Sequence, residues 1–171
     1  MQMGSEWRNY GRTTTGTRFT PADQINKDNI GQLEMAWTYQ TGAYAEGRNV
    51  DQNTLIYANG TLYSCTPANQ IHAIDPLTGR GKWVLDPHAY APFAGRCRGV
   101  SYYEVDGGAG TCIRRLAMTT IDARLISIDA DTGLPCQDFG ENGIVDMREG
   151  MGYFAPAVYM SNSAPTVSPG R

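Results

Sequence analysis

Four cysteines and two histidines carry the sharpest chemistry in this chain, and their spacing limits what they can do. Cys65, Cys97, Cys112 and Cys136 lie 32, 15 and 24 residues apart, so there is no C-x-x-C pair. His72 and His88 are not at zinc-finger spacing from them, and a structural zinc site is not expected. An even cysteine count permits up to two disulfides in any of three pairings, which needs an oxidising compartment such as a periplasm. Buried free thiols are the alternative. Cys112 with Cys136 is the preferred pair, because both lie at outer ends of one antiparallel meander, where such ends meet. With 14 Lys plus Arg against 17 Asp plus Glu, the net charge of -3 offers no electrostatic footprint for nucleic acid.

The elements that would position such residues are strands. Gly 20, Pro 9 and Tyr 10 in 171 residues with 18% charged side chains is a turn-rich, aromatic-rich composition that predicts an all-β fold. Thr54 to Ala58 and Thr61 to Cys65 flank Asn59-Gly60, a dipeptide suited to a type I′ hairpin turn. Gln70 to Asp75, a turn over Pro76 to Gly79, and Lys82 to Asp86 complete a first meander, about 54–86. A second, about 99–139, is expected from Gly99 to Val105, Ile113 to Thr120, Arg124 to Asp129 and a weaker segment at Cys136 to Phe139. Leu33 to Thr41 and Ala164 to Ser168 also read as strands, the first after a helical turn near Asp28 to Gln32, the second entering a turn at Pro169-Gly170. Apolar runs such as Thr54 to Ala58 fall far short of the roughly 20 residues of a spanning helix.

Ala73-Ile74-Asp75-Pro76-Leu77-Thr78-Gly79 recurs, 54 residues on, as Ser127-Ile128-Asp129-Ala130-Asp131-Thr132-Gly133. One four-stranded unit per repeat is the pattern of a β-propeller blade. Asp can cap the turn from its side chain while Gly takes the left-handed position. Two blades cannot close a propeller, so residues 1–171 are expected to be the N-terminal piece of a larger domain.

Ala73-x-Asp75-x-x-Thr78-Gly79-x-x-x-Trp83 resembles the tryptophan docking pattern of the eight-bladed quinoprotein dehydrogenases. Further stretches narrow the match: Trp7-x-x-Tyr10-Gly11-Arg12, Arg18-Phe19-Thr20-Pro21, Gln24-Ile25-Asn26, Asn29-Ile30, Ala36-Trp37 and Thr41-Gly42. Cys97-Arg98-Gly99-Val100-Ser101-Tyr102 is more specific, and is similar to the membrane-bound branch that oxidises glucose, quinate or shikimate with pyrroloquinoline quinone (PQQ). The resemblance implies a partial β-propeller of about two four-stranded blades plus fragments of neighbouring ones. It also implies a parent enzyme anchored at the periplasmic face of the bacterial inner membrane, passing electrons to ubiquinone.

PQQ is a flat, electron-poor tricarboxylate, so its site calls for a guanidinium and planar groups. The resemblance places Arg98 at the cofactor-binding arginine and Gln52 at a polar position reaching the cofactor. It puts Tyr103 opposite the quinone ring and Asn162 where a small hydroxyl residue usually stands. Glucose-type relatives commonly carry His at the position of Tyr103; a phenol cannot gain a proton near neutral pH, which counts against glucose as substrate. The divalent metal ligands (Ca or Mg), the aspartate base that takes the alcohol proton, and a lysine are expected beyond Arg171. The fragment alone is therefore expected to be inactive. The reaction implied is two-electron oxidation of a sugar or cyclic-polyol hydroxyl to a carbonyl. Two alternatives stand beside it: a non-catalytic propeller scaffold of periplasmic assembly machinery, which has no need of Cys97 to Tyr102, and a free-standing sugar-binding β domain, which needs a closed sheet.

Overall fold

The computed structural model describes residues 6–13, 15–43, 49–92, 95–108, 110–153 and 158–168, so the turn expected at Pro169-Gly170 lies outside the described residues. Among the described residues ten strands form two four-stranded antiparallel sheets and one short parallel pair. The pair is β1 (Val50–Asp51) with β6 (Arg96–Cys97). The first sheet runs β2 (Ile56–Ala58), β3 (Thr61–Cys65), β4 (Ile71–Ile74) and β5 (Gly81–Leu85) in chain order. The second runs β7 (Ser101–Glu104), β8 (Arg114–Thr119), β9 (Arg124–Asp129) and β10 (Ile144–Asp146), also in chain order.

Local chemistry accounts for the turns. Asn59 and Gly60 both take positive φ, 47° and 66°, as a type I′ turn demands. In the first sheet Asp75 Oδ1 accepts from the N–H groups of Leu77 and Thr78, both at 2.9 Å. In the second, Asp129 Oδ1 accepts from Asp131 N–H at 3.0 Å and Thr132 N–H at 2.8 Å. Gly79 and Gly133 close the two turns at φ 68° and 74°, left-handed geometry that costs other residues energy.

The strand period of two divides each sheet into two faces. Ile56, Tyr63, Ile71 and Ala73 of the first sheet meet Tyr102, Leu116, Met118, Ile126 and Ile128 of the second in one buried core. Tyr63 sits at its centre, stacked on Tyr102 with ring centroids 6.4 Å apart, and its hydroxyl donates to the Ala130 carbonyl at 3.1 Å. Burial pushes its phenol pKa up to about 12.

Three of the expected strands are absent. Leu33 to Thr41, which follows a 3-10 turn at Ile30–Gln32, is not a strand, because it lies across a sheet face and bonds through side chains. The Trp37 indole donates to Pro76 O at 3.0 Å, and the Tyr39 hydroxyl meets His72 Nδ1 at 3.0 Å. Ala164 to Ser168 is not a strand either. Carbonyls in and just before this segment are taken by hydroxyls of the second sheet: Thr119 Oγ1 donates to Ser163 O at 2.9 Å, and Ser101 Oγ donates to Pro165 O. The fourth strand of the second sheet is β10 and not Cys136 to Phe139. Pro135 has no N–H to extend a ladder, and only the Cys136 N–H reaches β9, at Ser127 O. Gly143 O then accepts from Ser127 N–H, and the edge passes to Ile144. Gly143 has φ 91°, and a Cβ there would lie 2.7 Å from Pro135 Cβ. The parallel pair β1 and β6 was not expected from the sequence; two residues per strand leave no periodicity to read.

Both disulfides form: Cys112 with Cys136, as preferred, and Cys65 with Cys97. Among the described residues no cysteine is free, and no helix is long and apolar enough to cross a membrane.

Candidate functional site

The chain between the two sheets brings Arg98 and Gln52 together. Gln52 follows β1 and Arg98 follows β6, and the parallel register Val50 to Arg96 and Asp51 to Cys97 makes the next residues neighbours. Arg98 is fixed through its backbone on both sides. Its N–H donates to Asn162 O at 2.9 Å, and its carbonyl accepts from Thr54 N–H at 3.1 Å. Gly99, at φ 150°, then turns the chain into β7.

The Arg98 side chain is exposed, and its Nε donates to Gln52 Oε1 at 3.1 Å. Among the described residues no carboxylate stands within ion-pair distance of it. Arg114, Arg124 and Arg148 do have such partners, in Asp131, Asp122 and Asp146, whereas Arg18 and Arg80 share with Arg98 the lack of one among the described residues. An amide oxygen orients the Arg98 fork without neutralising it, so the positive charge stays available to an anion.

Arg98 and Gln52 line a cavity of about 600 Å³ with Tyr10, Ser163, Ala164 and Thr166. Tyr10, Ala164 and Thr166 also border a second cavity of about 600 Å³, alongside Asn9, Thr13, Arg18 and Ser101. Tyr10 is half exposed, and the Arg18 guanidinium lies 4.4 Å over its ring. The opening segment reaches this place because Trp7 pairs with Tyr57 on the free edge of β2, N–H to O at 2.8 and 2.9 Å.

The four expected site residues thus separate. Arg98 and Gln52 face one cavity. Asn162 supports Arg98 through its main-chain carbonyl, and its neighbours Ser163 and Ala164 form the wall. Tyr103 is not in this group: on β7 it lies opposite Arg115, and its hydroxyl meets the buried Ser127 Oγ at 3.0 Å. Tyr10, Ser163 and Thr166 are lining residues that the sequence pattern did not single out as site residues. Tyr10 sits inside a motif of the resemblance, Trp7-x-x-Tyr10, and Ser163 directly follows Asn162. Among the described residues no three His, Cys, Asp or Glu side chains converge on a metal position.

The donor set suits a planar polyanion: an unneutralised guanidinium, an amide, two hydroxyls and a cation-backed phenol ring around one cavity. Residues 7–171 match the family model for the PQQ-containing glucose/ethanol/alcohol dehydrogenase β-propeller domain. The chain is 36% identical over 183 residues to a quinate/shikimate dehydrogenase (quinone) of Acinetobacter baylyi, covering 95% of this chain and 23% of that protein. It is 35% identical over 184 residues to quinoprotein glucose dehydrogenase A of Acinetobacter calcoaceticus, covering 96% and 23%. Among solved structures, a quinohemoprotein alcohol dehydrogenase from Pseudomonas putida HK5 superposes with a TM-score of 0.76 at 27% identity, over 96% of this chain and 22% of that one. A quinohemoprotein alcohol dehydrogenase from Comamonas testosteroni gives 0.67 at 26% identity, over 85% and 20%. The chain therefore spans less than a quarter of the length of these relatives.

Proposed function

Because the chain belongs to the β-propeller family of PQQ-dependent glucose, ethanol and alcohol dehydrogenases, we propose that it forms one wall of the cofactor site in an enzyme that oxidises a sugar or cyclic-polyol hydroxyl. The observation that carries the reading is Arg98, held by Gln52 and lacking a carboxylate partner among the described residues. A scaffold of assembly machinery would use the blades but leaves this pair without a role.

PQQ, when bound, supplies a quinone that takes up two electrons from the alcohol. Arg98 would pair with one of its carboxylates through charge-assisted hydrogen bonds, and Gln52, accepting from Nε, would hold the fork in the required plane. Ser163 and Thr166 offer hydroxyls to remaining polar edges, and Tyr10 with Arg18 behind it closes one side of the cavity. The proton-abstracting base and the divalent metal ligands belong to other parts of the full-length protein in this reading. So do an anchor at the periplasmic face of the inner membrane and the transfer of electrons to ubiquinone. Two buried disulfides fit an oxidising compartment.

The test is PQQ-dependent dye reduction by the full-length protein with quinate, shikimate and glucose in parallel. Turnover with a hydroxylated substrate that requires added PQQ supports the proposal; no turnover by PQQ-loaded protein with any sugar or polyol overturns it.

A further inference from the structure

We infer that the Cys65–Cys97 disulfide is a positioning device for Arg98, fastening the cofactor-facing strand to the first blade; the inference rests on the PQQ reading above. Cys97 immediately precedes Arg98 and ends β6. Among the described residues its only strand partner is β1, itself two residues long, and a parallel pair of two-residue strands has too few hydrogen bonds to stand alone. The disulfide ties this pair to Cys65, the last residue of β3 in the first sheet. Both cysteines are buried, at 1% and 2% exposure, so the bond acts inside the core and not as a surface staple.

A second tie enters from the other side. Asn53, next to Gln52, donates from Nδ2 to Ser64 Oγ at 2.8 Å, and its Oδ1 lies 3.4 Å from Cys65 Sγ. The last two residues of β3 therefore hold the neighbour of Arg98 and the neighbour of Gln52 together. Backbone bonds from Arg98 to Asn162 and Thr54 then orient the residue itself. The other disulfide, Cys112–Cys136, links the turn before β8 to the segment after β9 and touches neither Arg98 nor Gln52. It is the natural control, since its closed loop is of similar size.

The test is a PQQ titration of the full-length apo-protein, read by quenching of tryptophan fluorescence. Cys65→Ala/Cys97→Ala should bind PQQ about tenfold more weakly, while Cys112→Ala/Cys136→Ala stays within about twofold of wild type; complete removal of a charge-assisted hydrogen bond costs roughly ten- to a hundredfold. A positioning role makes a further demand: in the Arg98→Ala background, removing Cys65–Cys97 should change affinity by less than about twofold, because there is no longer a guanidinium to place. Cys65→Ala/Cys97→Val refills part of the buried volume and carries the same comparison if the first variant does not fold. Equal weakening in both backgrounds, equal weakening by both disulfide removals, or wild-type affinity in the Cys65/Cys97 variants overturns the inference. Failure of the wild-type protein to bind PQQ is a different result, and removes the functional reading on which it rests.

Discussion

Trp83 lies flat against Gly133: a Cβ at that glycine would come within 2.7 Å of the indole ring, whose N–H donates to Ala130 O at 3.2 Å. Trp37 does the same to Gly79, with a Cβ 2.5 Å from its ring and its N–H on Pro76 O. Each aromatic thus closes on the Asp-x-x-x-Gly turn of the sheet that follows it in the chain, and the contact works only if the turn ends in glycine.

Gly133→Ala should therefore cost more than its backbone angle alone explains. Gly60 has a similar φ, 66° against 74°, but open space where a Cβ would go. Gly60→Ala is expected to lose about 1 kcal/mol and Gly133→Ala about 3 kcal/mol, the difference being the displaced Trp83. Urea unfolding of the two variants compares them directly; equal losses would show that the indole contact contributes nothing.

This docking was the most legible part of the fold, because the 54-residue repeat places Asp, Thr and Gly where turn chemistry requires them. Thr61–Cys65 and Arg124–Asp129 were readable to the residue, since alternating apolar side chains end at turn formers. Leu33 to Thr41 misled because its alternation serves a face and not an edge. Trp37 and Tyr39 point at the first sheet, yet no neighbouring strand takes the backbone. In the site, Arg98 and Gln52 were legible through the resemblance. Tyr10 was not, since nothing in its local pattern says that the opening segment returns to β2.

His72 gives the protein a pH dependence. Its side chain is buried, Nε2 has no hydrogen-bond partner among the described residues, and burial lowers its pKa below 6.5. As pH falls through about 6.5, the unfolded chain takes up a proton that the folded state resists. The stability contributed by keeping the imidazole neutral is thus present above that pH and lost below it. Denaturation midpoints of wild type and His72→Phe, followed from pH 7.5 to 5, should converge as the wild type weakens. Parallel pH curves would exclude this role.

Tyr103 is expected to affect stability more than cofactor affinity. Tyr103→Phe removes the hydroxyl that meets Ser127 and should cost about 1 kcal/mol in unfolding experiments. Its PQQ dissociation constant should match wild type, because the phenol is not among the residues lining the Arg98 cavity. A marked drop in PQQ affinity would return Tyr103 to the cofactor.

The most direct test of the cofactor wall is titration of the full-length apo-protein with PQQ, comparing wild type with Arg98→Ala. Arg98 carries a charge that no carboxylate among the described residues neutralises, so its removal should weaken PQQ binding by about 1.5 to 3 kcal/mol, roughly ten- to a hundredfold in the dissociation constant. Unchanged PQQ affinity in Arg98→Ala protein with a wild-type unfolding midpoint would contradict the account.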